Sequence, residues 1–446
     1  MTNADDAIQH EATELLRSLI RIPTVNPPGG ELAAARYIAD LAEAEGIHAE
    51  LLETAPGRGN VLLKLAGREP GPPLILLSHL DVVGANENEW KHPPFEGVIE
   101  DGYLWGRGTV DTKQLTAMEL MTLLRLARNK ITPRRDVYLI ATADEESGSV
   151  HGLKALLATH GELFQGADVV SEGGGFPIVV NDKLFYLCEV GQKGLCQVKF
   201  TYPRVPNRNP FYPENTGLAR LSELIARIAA FTWPGEVPVT TRMLIRELME
   251  ACGEKPEGHS VADQIAFLQT KVSPMMGQTI KAMTESTLAL TLVNGGRLRR
   301  ELDGEYEATA DIRLLPGVTR EEVESRLAEL CSGLGIEWEL LTCQEGYDSG
   351  SEGPLYEAMK AALATHSPGA KMVPFIATGS SDGRYLREFE SKVFGFSPVL
   401  PEDMTFDQAV SMVHGIDERI ACQSIGFGAR VLYETVMHYL ERREAL

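Results

Sequence analysis

Two apolar runs, Pro73–Leu77 and Val137–Ala141, each lead into a cluster of metal-binding side chains. The first continues as Leu77-Ser78-His79-Leu80-Asp81, the second as Thr142-Ala143-Asp144-Glu145-Glu146-Ser147-Gly148. A short, unbroken apolar run bounded by turn residues reads as a strand buried on both faces. Open α/β sheets place their sites beyond the carboxyl ends of such strands. Between the two lies Trp105-Gly106-Arg107-Gly108-Thr109-Val110-Asp111-Thr112-Lys113, a Gly-rich loop with one more carboxylate. His, Asp and adjacent Glu on strand ends are the donor set of a metal-dependent hydrolase.

The chain around these motifs alternates between the two periods. Amphipathic stretches at 7–21 and 31–46 read as helices, separated by the breaker Asn26-Pro27-Pro28-Gly29-Gly30. Strands are expected at 48–53, 60–65, 73–77 and 136–141, with helices at 113–129 and 149–159. That order predicts an α/β fold with a mixed, mostly parallel sheet flanked by helices. After residue 195 the style changes. A strand at 196–202, a helix at 214–231, strands at 287–293 and 305–314, a helix at 319–332 and a strand at 335–342 follow one another. This β-α-β-β-α-β order is that of a ferredoxin-like α+β sandwich. Residues 232–285 interrupt it with helical sequence. From about 346 the first style resumes, with a helix at 354–365, strands at 372–377 and 392–397, and a long helix from about 416. The expectation is a discontinuous catalytic domain, 1–194 and 346–446, carrying an inserted lid domain, 195–345, with its own helical insertion at about 232–285.

With 446 residues, two domains are the prior. The net charge of −21 disfavours nucleic acid and anionic membrane as partners. No apolar run approaches the ~20 residues needed to span a bilayer. The acidic start Met1-Thr2-Asn3-Ala4-Asp5-Asp6 lacks the pattern of a secretory signal. Six scattered Cys without a close pair read as reduced thiols, and with that start they point to a cytoplasmic protein.

Five segments in this order resemble the di-zinc metallopeptidase family of aminoacylases, carboxypeptidase G, succinyl-diaminopimelate desuccinylase and related dipeptidases. The family's His-x-Asp matches His79 and Asp81; its Gly-Arg-Gly-x-x-Asp-x-Lys loop matches Gly106 to Lys113; its Asp-Glu-Glu-x-Gly matches Asp144 to Gly148. Glu172 in Val170-Ser171-Glu172-Gly173-Gly174 and His414 in Val413-His414-Gly415 complete the set. The resemblance implies two zinc ions, with cobalt or manganese suited to the same ligands. It implies that His79, Asp111 and Glu172 hold one ion, and that Asp111, Glu146 and His414 hold the other. Asp81 would accept the second N–H of His79. Glu145 would be the general base that moves the proton of a zinc-activated water. A cis peptide at Asp111-Thr112 is also implied. The implied substrate class is a small N-acyl amino acid or dipeptide.

The lid departs from the family pattern. The family's lid His falls on Asn207, and its lid Asn falls near Arg300. Three residues compete for the vacated roles: Asn207 as an amide donor, Arg300 as a positive charge, and His259 from the helical insertion. Arg313, in Asp311-Ile312-Arg313, would meet a substrate carboxylate or lock the lid strand. Gly379 and Ser380, in Thr378-Gly379-Ser380-Ser381-Asp382-Gly383-Arg384, would hold the substrate through backbone N–H groups. The altered lid also raises an alternative, a non-peptide and aromatic amide or amine hydrolysed at the same di-metal site. Relatives often pair through the lid; without the lid His, a homodimer and a monomer are both open.

Overall fold

A computed structural model describes residues 3–203, 217–295 and 306–441. Ten strands form one large mixed sheet. Its centre is four neighbouring parallel strands, in the order Val137–Thr142, Leu74–His79, Asp168–Ser171 and Lys392–Gly395. Arg58–Leu65 and His48–Ala55 extend one side in antiparallel fashion. On the other side Lys183–Gln192 carries Lys371–Ala377 in parallel and Pro177–Val180 antiparallel. Every residue of Leu74–His79 and Val137–Thr142 is buried, which is why both lack a polar alternation.

Successive residues of these strands feed two cores. Leu74, Leu76, Leu139 and Ala141 face the helices Asn3–Ile20, Lys113–Arg128, Pro354–His366 and Cys422–Glu441. Ile75, Leu77, Tyr138 and Ile140 face the opposite way, against the helix Leu153–His160 and the 3-10 segment Asp382–Phe389. The parallel centre brings four strand ends to one edge, and His79 lies in register with Thr142. The expected helix from 416 begins instead at Cys422. Residues before it form a loop and a short strand, Arg419–Ala421, which pairs with Tyr103–Trp105 in a separate three-stranded sheet.

The second sheet is antiparallel, in the order Thr287–Gly295, Tyr306–Leu314, Gly194–Tyr202, Glu337–Gln344. Val198, Phe200, Ala310 and Ile312 project from it against the helices Gly217–Ala230 and Arg320–Cys331. The chain order is the ferredoxin-like one expected. The helices of the 232–285 stretch behave differently: Val239–Ala251, Val261–Lys271 and Pro274–Ala282 pack on Phe185, Leu187, Val373 and Phe375 of the large sheet. They fill the part of its second face that Leu153–His160 leaves uncovered.

Cys196 and Cys343, expected as reduced thiols, are bonded to each other. They are direct cross-strand partners, which a sequence separation of 147 conceals. Four cysteines stay free. The pairing removes the thiol argument for a cytoplasmic location. Among the described residues, no helix is long and apolar enough to cross a membrane.

Candidate metal centre and cavity

Two histidines meet the same carboxylate. His79 Nε2 lies 3.2 Å from Asp111 Oδ1 and 3.3 Å from Glu172 Oε2. His414 Nε2 lies 3.2 Å from Asp111 Oδ2 and 3.0 Å from Glu146 Oε2. Asp111 thus offers one oxygen to each group. Donors about 2.0–2.1 Å from a tetrahedral zinc stand about 3.3 Å apart, so these spacings are those of ligands round a shared ion. Glu146 Oε1 is buried with no hydrogen-bond partner among the described residues, a lone pair left for a cation. Burial disfavours a charged His79, yet the Glu172, Asp111 and Asp81 carboxylates hold its proton well above the usual range. Hydrogen bonds to Asp111 and Glu146 push His414 up to about 10.

The first strand end is braced by a network the sequence did not advertise. His79 Nδ1 is 3.0 Å from the backbone carbonyl of Asp81 and 3.5 Å from its carboxylate, so the closer acceptor is the main chain. The Asp81 carboxylate reaches across to the other strand end, accepting from the N–H groups of Glu145 and Glu146 at 3.1 Å each. Asn26 Nδ2 donates to Asp81 and to Asp144, at 2.8 and 3.1 Å. Arg58, largely buried, binds Glu31 and Asp144 at 2.7 and 2.9 Å. Asp144 adopts φ 65°, a left-handed turn that swings the Glu145-Glu146 pair back toward His79.

Asp111 is fixed from the far end of the chain. The fully buried Glu418 accepts from Val110 N and Asp111 N through Oε1, at 2.6 and 3.0 Å, and from Gly108 N and Arg107 Nη1 through Oε2, at 2.9 and 2.8 Å. Arg107 Nη2 donates to the carbonyl of Gly415, next to His414. One ion pair therefore ties the Asp111 loop to the His414 loop. The Asp111-Thr112 peptide is cis, as the resemblance implied.

Glu172 follows the strand Asp168–Ser171. Its flanking glycine has a steric reason: at Gly173, φ +105°, a side chain would meet the Glu189 carboxylate 1.9 Å away. Glu145 stands beside the first group, with a carboxylate oxygen within 4.8 Å of ligand atoms of His79 and Glu172, and has no hydrogen-bonded carboxylate partner among the described residues. Burial, then the Glu172 charge, push its carboxyl well above the ordinary range.

These residues open on a cavity of 580 Å³. One wall is acidic and polar, with Asp111, Glu145, Glu146, Glu172, Glu189 and Gln192. Another is apolar, with Phe176, Phe375, Phe406, Val410 and Val413, and Thr279 comes from the last inserted helix. Gly379, Ser380 and Arg384 line it as well. Arg313 and His259 do not. Arg313 stays on its lid strand with Nη1 buried and unpartnered among the described residues, and His259 is exposed beside Glu254. His92 binds Glu100 outside the cavity. Asn207 and Arg300 lie outside the described residues.

Comparison with known proteins agrees with this architecture. The chain is 26% identical over 450 residues to the N-fatty-acyl-amino acid synthase/hydrolase PM20D1 of Bos taurus, covering 95% of this chain and 87% of the bovine protein. The M20 family metallo-carboxypeptidase Sso-CP2 of Sulfolobus solfataricus superposes with a TM-score of 0.69 at 18% identity, over 96% of this chain and 99% of that one. The Bacillus subtilis YXEP protein, described as a dinuclear metal binding peptidase, superposes at 0.64 with 14% identity, over 98% and 99%. Residues 75–438 match the model of peptidase family M20/M25/M40, and the chain belongs to that family of hydrolases.

Proposed function

We propose that this chain hydrolyses the amide bond of a small N-acyl amino acid or dipeptide, with two divalent metal ions, zinc in the first instance. The observation that carries the reading is Asp111 shared between two His-carboxylate groups, with Glu145 beside them and uncommitted. His79, Asp111 and Glu172 would hold one ion; Asp111, Glu146 and His414 would hold the other. Bound there, such ions lower the pKa of water and polarise a carbonyl.

The chain's own residues do the rest. Glu145 takes a proton from the attacking water and delivers it to the leaving nitrogen. Its burial favours the protonated form midway, which suits a group that must both accept and donate. Asp81 holds the turn that carries Glu145 and Glu146, and its carbonyl sets the tautomer of His79. The apolar wall receives the acyl group. The bovine relative's name, which specifies fatty-acyl amino acids, fits an acyl side lined by Phe176, Phe375, Phe406, Val410 and Val413.

The test is hydrolysis by zinc-loaded protein of an N-acyl amino acid series with acyl chains of increasing length. Each methylene buried against the wall is worth about 0.8 kcal/mol, roughly fourfold in kcat/KM, until the cavity is filled. Rising specificity with chain length supports the reading. No cleavage across the series, with two ions bound, refutes it.

A further inference from the structure

We propose that Arg384 receives the carboxylate of the substrate's amino-acid half, so that the anion anchor of this chain stands on the large sheet and not on the lid. The inference rests on the proposed hydrolysis of an N-acyl amino acid and adds the residue that reads its free acid.

The cavity is lined by five carboxylates, Asp111, Glu145, Glu146, Glu172 and Glu189. Among its described lining residues only Arg384 and His414 are basic. His414 is committed to Asp111 and Glu146. Arg384 has no carboxylate within ion-pair distance among the described residues. Its hydrogen bond runs from Nη2 to the Tyr385 hydroxyl at 2.7 Å, and its guanidinium carbon lies 4.6 Å from the Tyr385 ring centroid. The ring contact and one hydrogen bond hold the group in place and leave most of its five N–H donors for a ligand. A guanidinium presented in this way is suited to a carboxylate, which it can meet with two parallel hydrogen bonds.

The loop that carries it is pinned. Asp382 accepts from Thr142 Oγ1 at 3.0 Å and from the Ser149 hydroxyl, so the neighbouring carboxylate is already engaged. Ser381 N donates to Gln192 Oε1 at 3.1 Å. Gly379, earlier in the same loop, has nothing within 4 Å of where a side chain would begin, so a ligand can approach its backbone. The lid offers no described rival: Arg313 does not line the cavity. Arg384 is also near enough to Glu145 for the two charges to act on each other. The competing role is therefore tuning of Glu145, and the experiment must separate the two.

The experiment compares wild type, R384A and R384K, all zinc-loaded, on an N-acyl amino acid and its carboxamide twin. A parallel calorimetric titration of the free acid into E145Q and into E145Q/R384A reads binding without turnover. Loss of a charge-assisted pair is expected to weaken the free acid on the order of 30- to 100-fold, in KM and in the calorimetric Kd alike. Wild type prefers the acid to the carboxamide; R384A loses that preference, and R384K recovers part of it. Equal losses on acid and carboxamide overturn the proposal. So does a loss confined to kcat with a displaced acidic limb of the pH profile, which would make Arg384 a tuner of Glu145. If wild type cleaves only the carboxamide, the anchor fails and amide hydrolysis stands. If wild type cleaves neither, the proposed reaction fails, and the two titrations still decide whether Arg384 binds the acid.

Discussion

Glu418 does not line the cavity, yet its removal should be felt at the proposed metal centre. Its carboxylate accepts four hydrogen bonds, three of them from the backbone of the Asp111 loop, and it is fully buried. Glu418→Ala would leave the buried Arg107 without its partner, a loss of about 3–5 kcal/mol. It would also orphan three N–H groups, each worth about 1–3 kcal/mol if water cannot reach them. Together these come to about 6 kcal/mol or more, a large part of ordinary protein stability, so this variant should fold poorly. Glu418→Gln is the informative change. Its single oxygen still serves one side of the carboxylate's site, while its NH2 faces donors on the other. Two lost bonds at about 1–3 kcal/mol each put the cost at about 2–6 kcal/mol, well below that of the alanine variant. Because Arg107 also holds Gly415, the His414 loop should loosen with it. The ion proposed at Asp111, Glu146 and His414 should bind about 10- to 100-fold more weakly, the effect usual for groups that orient ligands, and should weaken more than the ion proposed at His79. Competition with a graded series of chelators reads the two affinities in turn, and urea melts read the fold. Should Glu418→Gln release both ions at wild-type chelator strength, the loop-clamping argument is wrong.

Other outcomes follow from the same geometry. Glu145→Gln should lower kcat at least about 10²- to 10⁴-fold while metal analysis still finds two ions per chain; retained turnover would remove Glu145 from its role. Dialysis against a strong chelator should abolish hydrolysis, and zinc titration should restore it with an end point near two equivalents. His79→Ala and His414→Ala should each end near one. Phe375→Ser places a hydroxyl in the apolar wall; it should cut kcat/KM for long acyl chains and spare acetyl substrates, and a uniform loss would argue against an acyl-binding wall.

The proposed ligands were legible because their signals are local. A buried strand needs a short apolar run, and His79, Glu145 and Glu146 follow such runs within a few residues. Asp111 and His414 lie on loops, and only the family resemblance could assign them. Glu418 was not legible as a clamp. It sits in His414-Gly415-Ile416-Asp417-Glu418, where acidic residues read as the start of a helix, and a buried acceptor for main-chain donors leaves no periodic mark. Asn26 hid for a similar reason, in a Pro-Gly stretch that reads only as a breaker. The inserted helices were visible as helices, but amphipathicity says that a face is buried and not against what. They cover Phe185, Leu187, Val373 and Phe375 of the large sheet, and so help shape the cavity through Thr279.

Charge balance links the metal centre to the substrate. On the proposed ligand set, three carboxylates face two divalent ions, which leaves one positive charge at the centre. That excess would suit the negative charge that develops on a carbonyl oxygen. Glu145 stands outside the set with its own negative charge until it takes the proton. A substrate carboxylate drawn into this centre would bind as a ligand and block it, since carboxylate oxygens suit these ions as well as water does. A guanidinium on a pinned loop at another point of the cavity gives the acid a different destination and leaves the amide facing the ions. The proposed anchor at Arg384 and the acyl wall then act on opposite ends of one substrate, and the amide between them is held at the centre by both. A truncated substrate lacking either end should lose kcat as well as affinity, because the lost contacts are the ones that position the reacting bond. Acyl amines without the carboxylate, compared with free acids of the same acyl length, would show it; an effect on KM alone would mean that the two ends bind without aligning the amide.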